Sequence, residues 1–312
     1  MKVKKKNGFA TAKRNENIFY YVMVAIPVIQ FLVFYVVVNF NSFLLAFKSY
    51  EFNAKTLGYD ESWVGLKNFK DFLDGFFSQG GNLTQILKNS LIVYITSLFF
   101  GTAFALLFSY YIYKKQCMSG FFRVILFMPS ILSSIVVIVT YGYFVDRAVP
   151  AFMDKVFSRQ ITPLLDEYKF PTILFYNVFM SFGTSVLMYT GAMSRIPDGV
   201  IEAGEIDGVG PLREFFTLVL PLIAPTVSTF LITGVAGLFT ADAHLYAFFG
   251  EGASEKVQTL GYYLFIQVMS ENSTLINYPY AAAAGLALAF VAAPLTLLVR
   301  YVLEKVIPAV EY

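Results

Sequence analysis

"IEAGEIDGVGPLREFFTLVLPLIAP", residues 201–225, decides how this chain is read. Asp198, Glu202, Glu205, Asp207 and Glu214 gather in or beside it, and nearby only Arg195 and Arg213 answer them. On a helix turning ~100° per residue, Asp198, Glu202 and Glu205 fall within about 60° of one another. Val200, Ile201, Ala203, Gly204 and Ile206 cover the rest, so residues 198–206 read as a short amphipathic helix with a narrow acidic stripe. Gly208 and Gly210 break it, and Pro211 suits the first turn of a second helix that runs to Pro221. A helix lying on an anionic leaflet should be rich in Lys and Arg. An acidic one calls for a protein partner, with a solvated helical loop as the alternative.

The surroundings are apolar. Of 312 residues, 57% are hydrophobic and 14% charged, against about a quarter charged in ordinary soluble domains. A span needs roughly 20 apolar residues, and six blocks meet that test: 18–47, 89–112, 124–145, 170–192, 222–248 and 281–303. Pro27, Pro129 and Pro294 lie inside spans as expected kinks. Period-two alternation is absent from these blocks, which argues against a β-barrel. The expected fold is therefore an all-α polytopic membrane protein with six transmembrane helices.

Orientation follows from Lys and Arg in the short flanks. Lys2, Lys4, Lys5, Lys6, Lys13 and Arg14 precede the first span, and Lys114, Lys115 and Arg123 follow the second, which assigns both segments to the cytoplasm. Both termini and residues 194–221 then share the cytoplasmic side. The expected organisation is a basic tail (1–17), a first span with an outer loop (18–88), five further spans (89–305) and a short tail (306–312).

The net charge of +2 without a basic stripe gives no sign of nucleic acid binding. One cysteine, Cys117, and one histidine, His244, exclude an intramolecular disulfide and disfavour a metal centre. No paired acids within a span and no GxxxxGK[ST] loop argue against catalysis or nucleotide hydrolysis by this chain.

Residues 202–225, "EAGEIDGVGPLREFFTLVLPLIAP", resemble the cytoplasmic EAA loop of membrane subunits of binding-protein-dependent ABC importers. Glu202, Ala203, Asp207, Gly208, Phe216, Pro221 and Pro225 stand where the pattern expects them, and "SRIP" at 194–197 precedes them. Gly204 replaces the second alanine, at a helix cost of up to ~1 kcal/mol, and Val209 replaces a small residue. "WVGLKNF" (63–69), "KNSL" (88–91), "FFRVILFMPSILS" (121–133), residues 237–267 and "YPYAAAAGLALAF" (278–290) resemble the carbohydrate-uptake branch, similar to maltose-importer-like inner-membrane components.

The resemblance implies a type I importer permease fold in the bacterial cytoplasmic membrane, with 198–206 as the coupling helix. It implies coupling roles for Glu202, Ala203, Gly204, Asp207, Gly208, Phe216 and Pro221. It also implies a second homologous permease, a cytoplasmic ATPase dimer that binds ATP and Mg, and an extracytoplasmic solute-binding protein, with no cofactor on this chain. A carbohydrate, as an oligosaccharide, is the implied cargo, with glycerol phosphate or a polyol as alternatives.

The fourth span supplies candidate pathway residues. Asn177, Ser181, Ser185 and Tyr189 recur every four residues, with Tyr176 and Thr184 beside them. Such a stripe suits a hydroxyl-rich ligand or ordinary bonding between helices. Asp242 and His244 are expected at the outer mouth, touching substrate or binding protein. An ion-coupled secondary transporter remains the rival class; it wants inverted repeats and intramembrane charge, and no repeat is evident.

Overall fold

The computed structural model describes residues 6–77, 82–160, 162–164, 168–270 and 274–307, with side chains from residue 16 onward. In chain order the elements are α1 (Glu16–Leu45, the apolar part of a helix that starts at Lys6), β1 (Lys48–Asn53), β2 (Gly58–Trp63), α2 (Lys67–Phe77), α3 (Leu83–Tyr113) and α4 (Ser119–Ile131). There follow α5 (Ser134–Phe157), α6 (Lys169–Met193), α7 (Asp198–Ile206), α8 (Pro211–Ala236), α9 (Leu245–Phe249), α10 (Leu260–Met269) and α11 (Asn277–Val306). Among the described residues, α1, α3, α5, α6, α8 and α11 are long and apolar enough to cross a membrane.

The chain divides into two units, residues 1–72 with 274–286 and residues 73–273 with 287–312. In the first, α1 exposes apolar side chains on every side, the pattern of a helix solvated by lipid. After it, β1 pairs antiparallel with β2, with Lys48 opposite Trp63 and Asn53 opposite Gly58. Lys48 ion-pairs with Glu61 at 2.6 Å and lies 5.3 Å over the Trp63 ring. Buried Asn68 donates to the Ala46 and Lys48 carbonyls at 2.9 and 2.8 Å, which anchors the start of the hairpin. This hairpin was not foreseen. Its alternation is only Tyr50 and Phe52 set against Glu61 and Tyr59, too short to stand out from a polar loop.

The second unit packs around α3 and α6. Ala105, Ile112, Phe182, Val186 and Tyr189 form one buried cluster between them, and Ser109 donates to the Val186 carbonyl at 3.0 Å. At Gly183 an added Cβ would lie 2.5 Å from the Leu126 carbonyl, so α4 crosses α6 at a distance only glycine permits. A second cluster, of Met193, Ile196, Ile201, Phe215, Val219 and Ile223, joins the ends of α6, α7 and α8.

Two spans depart from their expected limits. The third was expected at 124–145, but the chain is extended at Leu132 (ψ 153°) and Ser133 (ψ 130°), and the span is Ser134–Phe157. Hydropathy cannot mark that break because apolar residues lie on both sides of it, while Pro129 weakens the last turn of α4. The fifth was expected at 222–248, starting beyond Pro221. Helix α8 instead begins at Pro211, passes through Pro221 and Pro225, and ends at Ala236. The wide π turn Phe215–Val219 just before Pro221 makes room where a regular turn would clash with the ring.

Candidate functional site

Two places in the second unit collect the predicted site residues. The first is the turn between α7 and α8. Helix α6 ends at Met193, Ser194 folds back to the Thr190 carbonyl through its backbone and its hydroxyl, and extended Pro197 (ψ 131°) redirects the chain into α7. Asp207 closes α7. Gly208 takes φ +70°, while its N–H donates to the Glu205 carbonyl (3.1 Å) and the Val209 N–H to that of Gly204 (3.0 Å). These are the two bonds of a Schellman motif, which wants glycine at the left-handed position. Extended Gly210 then leads into Pro211 at the first turn of α8, as the sequence predicts.

Of the expected apolar face, only Ile201 and Gly204 are buried. An added Cβ at Gly204 would stand 2.7 Å from Leu218 Cδ1, so glycine lets α7 settle close against α8. Ala203 and Ile206 are exposed with Glu202, Glu205 and Asp207, and Ile206 reaches 86% exposure. Leu212 and Phe216 are exposed on the first turns of α8, so the acidic stripe sits beside apolar side chains with no cover. Pro221 lies within α8, exposed.

Among the described residues, the cation that meets two of these acids is Lys114, just past α3, at 3.1 Å from a carboxylate oxygen of Glu205 and 3.1 Å from one of Glu214. Glu214 is 3% exposed, and the Tyr110 hydroxyl also donates to it at 3.1 Å. Burial works to lower the Lys114 ammonium's pKa, but hydrogen bonds to the two carboxylates outweigh it and hold it above the usual lysine range. No signal in the acidic stretch points to Tyr110 and Lys114, which lie about a hundred residues earlier in the chain.

The second place is a cavity of about 370 Å³. Helix α3 contributes Ser90, Tyr94 and Ser97, α6 contributes Asn177 and Ser181, α8 and its end contribute Gly234 and Gly237, and the following loops contribute His244 and Thr259. Between apolar walls of Val93, Met180, Leu238 and Ala241, its lining offers hydroxyls, an amide and an imidazole, and among the described residues no carboxylate, ammonium or guanidinium group. Asn177 donates to the Ile173 carbonyl (2.9 Å) and to the Ala243 carbonyl (3.1 Å). Ser90 accepts the Leu260 N–H at 2.8 Å, and Thr259 donates to the Ala241 carbonyl at 2.9 Å. Nearby, buried Asn89 donates to the Lys256 and Gln258 carbonyls (3.0 and 2.9 Å), which ties the loop carrying Thr259 to α3.

The polar stripe of α6 is thus divided. Asn177 and Ser181 line the cavity; Tyr176 and Tyr189 are buried among aromatic rings. Tyr176 packs against Tyr141, Phe248 and His244, and its hydroxyl has no hydrogen-bond partner among the described residues. Tyr189 lies edge-on to Phe230. Thr184 and Ser185 are not among the cavity's lining residues, and Ser185 bonds to the Ser181 carbonyl at 3.4 Å. Asp242 does not line the cavity either; it accepts the His244 N–H at 3.2 Å and steadies the left-handed backbone of His244 (φ 58°). Ser90, Tyr94, Ser97 and Thr259 were missed, since isolated hydroxyls in a greasy span carry no periodicity.

Residues 97–311 match the family described as "Binding-protein-dependent transport system inner membrane component". The multiple sugar-binding transport system permease protein MsmF of Streptococcus mutans is 26% identical over 84% of this chain and 87% of its own length. The sn-glycerol-3-phosphate transport system permease protein UgpA of Shigella dysenteriae is 27% identical over 80% of this chain and 83% of its own. A chain of a bacterial ABC transporter that imports the acidic polysaccharide alginate superposes with a TM-score of 0.76 at 18% identity, over 95% of this chain and 98% of that one.

Proposed function

Because the chain belongs to the family of binding-protein-dependent transport system inner membrane components, we propose that it carries a neutral oligosaccharide through the cavity on α3 and α6. The chain is a multi-pass permease subunit and not an enzyme; ATP, with its Mg, is bound and hydrolysed on a partner ATPase dimer. An extracytoplasmic binding protein delivers the sugar, and a second homologous permease completes the pathway. Both termini and the α7–α8 turn face the cytoplasm, by the Lys and Arg of the flanks. There Glu202, Ala203, Gly204, Asp207, Gly208, Phe216 and Pro221 couple the chain to the ATPase.

The observation that carries the cargo assignment is the lining itself, a mainly apolar wall with scattered hydroxyls and, among the described residues, no fixed charge. Neutral polyols exchange water for such groups at little cost, whereas a phosphate or carboxylate would lose its hydration with no cation to replace it. Glycerol phosphate, named for one relative, is therefore the weaker reading. Of the predicted pathway residues, Asn177, Ser181 and His244 line the route, Tyr176 shapes it from behind His244, and Asp242 holds the His244 loop. Tyr189 serves packing against α8, Ser185 bonds within α6, and Thr184 is exposed away from the route.

The test is uptake by proteoliposomes holding the complete transporter, given the binding protein and ATP. Neutral oligosaccharide should accumulate and stimulate ATP hydrolysis. Uptake of only phosphorylated or acidic substrates would overturn the cargo assignment. Uptake driven by an ion gradient without ATP would overturn the importer reading.

A further inference from the structure

Lys114 stands where three segments meet. Its ammonium bridges Glu205 on α7 and Glu214 on α8, one on each side of the Gly208 turn. Tyr110, one turn earlier on α3, donates to Glu214 and to the Pro211 carbonyl, both at 3.1 Å. The short segment beyond Lys114 is itself held to α3, since the Tyr111 hydroxyl donates to the Cys117 carbonyl at 2.7 Å. The end of α3 therefore grips both arms of the turn.

The same helix gives the cavity Ser90, Tyr94 and Ser97. From Ser90 to Lys114 is ~36 Å along the helix axis at ~1.5 Å per residue. The helix, which widens into one π segment at Ser97–Gly101, runs unbroken between the cavity at one end and the turn at the other. Parting Lys114 from Glu214 would leave a buried carboxylate without its cation, which makes that half of the bridge durable. Glu205 has a side chain 60% exposed, so its half is the one that opens more easily.

We infer that Lys114 clamps the coupling helix α7 to the end of α3, so that the two move as one body and a push on α7 reaches the cavity through α3. The inference rests on the coupling role proposed above for the α7–α8 turn. Lys114 is on this account a positioning residue that touches neither cargo nor nucleotide.

The experiment uses the complete transporter with spin labels on Cys117, exposed and the chain's single cysteine, and on a Gly199→Cys variant. Position 199 is exposed on α7, and an added side chain meets open space there. With the bridge intact, the distance between labels should be the same in the nucleotide-free and ATP-bound states. With Glu205→Gln the distribution should broaden and shift on ATP binding. A shift in the bridged protein overturns the clamp.

A double-mutant cycle on ATP hydrolysis stimulated by loaded binding protein gives a second readout. Glu205→Gln should cost several-fold in an otherwise unchanged chain and nothing further beside Lys114→Met, while Lys114→Arg should retain the stimulation. Equal loss in both backgrounds would place Glu205 in ATPase docking alone and overturn the clamp. An unmodified transporter that ignores its binding protein counts against the transport reading, whereas a responsive one whose labels separate counts against the clamp alone.

Discussion

The α7–α8 turn and the cavity are built in opposite ways. The backbone course of the turn is set between Pro197 and Pro211: an extended proline to start α7, a glycine at φ +70° to end it, and a proline to open α8. The cavity draws its lining from Ser90 to Thr259, on helices and loops that meet only after packing. Local backbone chemistry needs consecutive residues and leaves a readable motif. A polar lining needs only convergence in space, and each contribution is a lone hydroxyl or amide in an apolar run.

If the turn depends on so few residues, single changes there should have the largest effects. Gly208→Trp places a bulky residue in a left-handed conformation, at a cost of order 1–3 kcal/mol, at the point where the ATPase is proposed to dock. The variant should insert and accumulate normally yet show no ATP-coupled uptake, measured in proteoliposomes beside a membrane-insertion assay. Glu202→Lys, with its charge reversed on the exposed stripe, should do the same by loss of ATPase co-purification. Normal uptake in either would break the contrast.

Lys114→Met removes the cation from buried Glu214 and should lower stability by about 3 kcal/mol, read from thermal unfolding of the purified transporter. The folded pKa of Lys114 is raised, so its contribution is fully present below the ordinary lysine value of 10.5 and is lost only as pH rises through the folded value. The melting difference between unmodified protein and Lys114→Met should therefore hold from neutral pH to that limit and narrow above it.

In the cavity, effects should be smaller and graded because the lining is shared among many groups. Asn177→Leu loses the hydrogen bond to the Ala243 carbonyl and one polar wall, worth roughly 1–3 kcal/mol. Uptake should fall while the ATPase still co-purifies. Loss of co-purification would show that cavity and turn are not separable. Gly204→Ala should be the mildest. Alanine gains up to ~1 kcal/mol of helix propensity but must displace the tip of Leu218, so the melting temperature should scarcely change.

The limits of sequence reading follow the same division. The limits of α1, α3, α6 and α11 fall within a few residues of the apolar blocks, except where α3 begins earlier, at Leu83. The break at Leu132–Ser133 and the passage of α8 through Pro221 were hidden, since hydropathy averages over backbone geometry. The stripe on α6 was correctly periodic, yet period alone could not distinguish Asn177, beside the cavity, from Tyr189, under Phe230.

By itself the sequence determined a six-span helical membrane chain with an acidic, glycine-punctuated turn, because apolar run length and turn chemistry are properties of consecutive residues. Only the tertiary structure decided which hydroxyls share a cavity, what Gly204 packs against, and which cation answers Glu205 and Glu214. Lys114 reaches Glu205 and Glu214 because α3 ends against α7 and α8, and packing alone sets that meeting point.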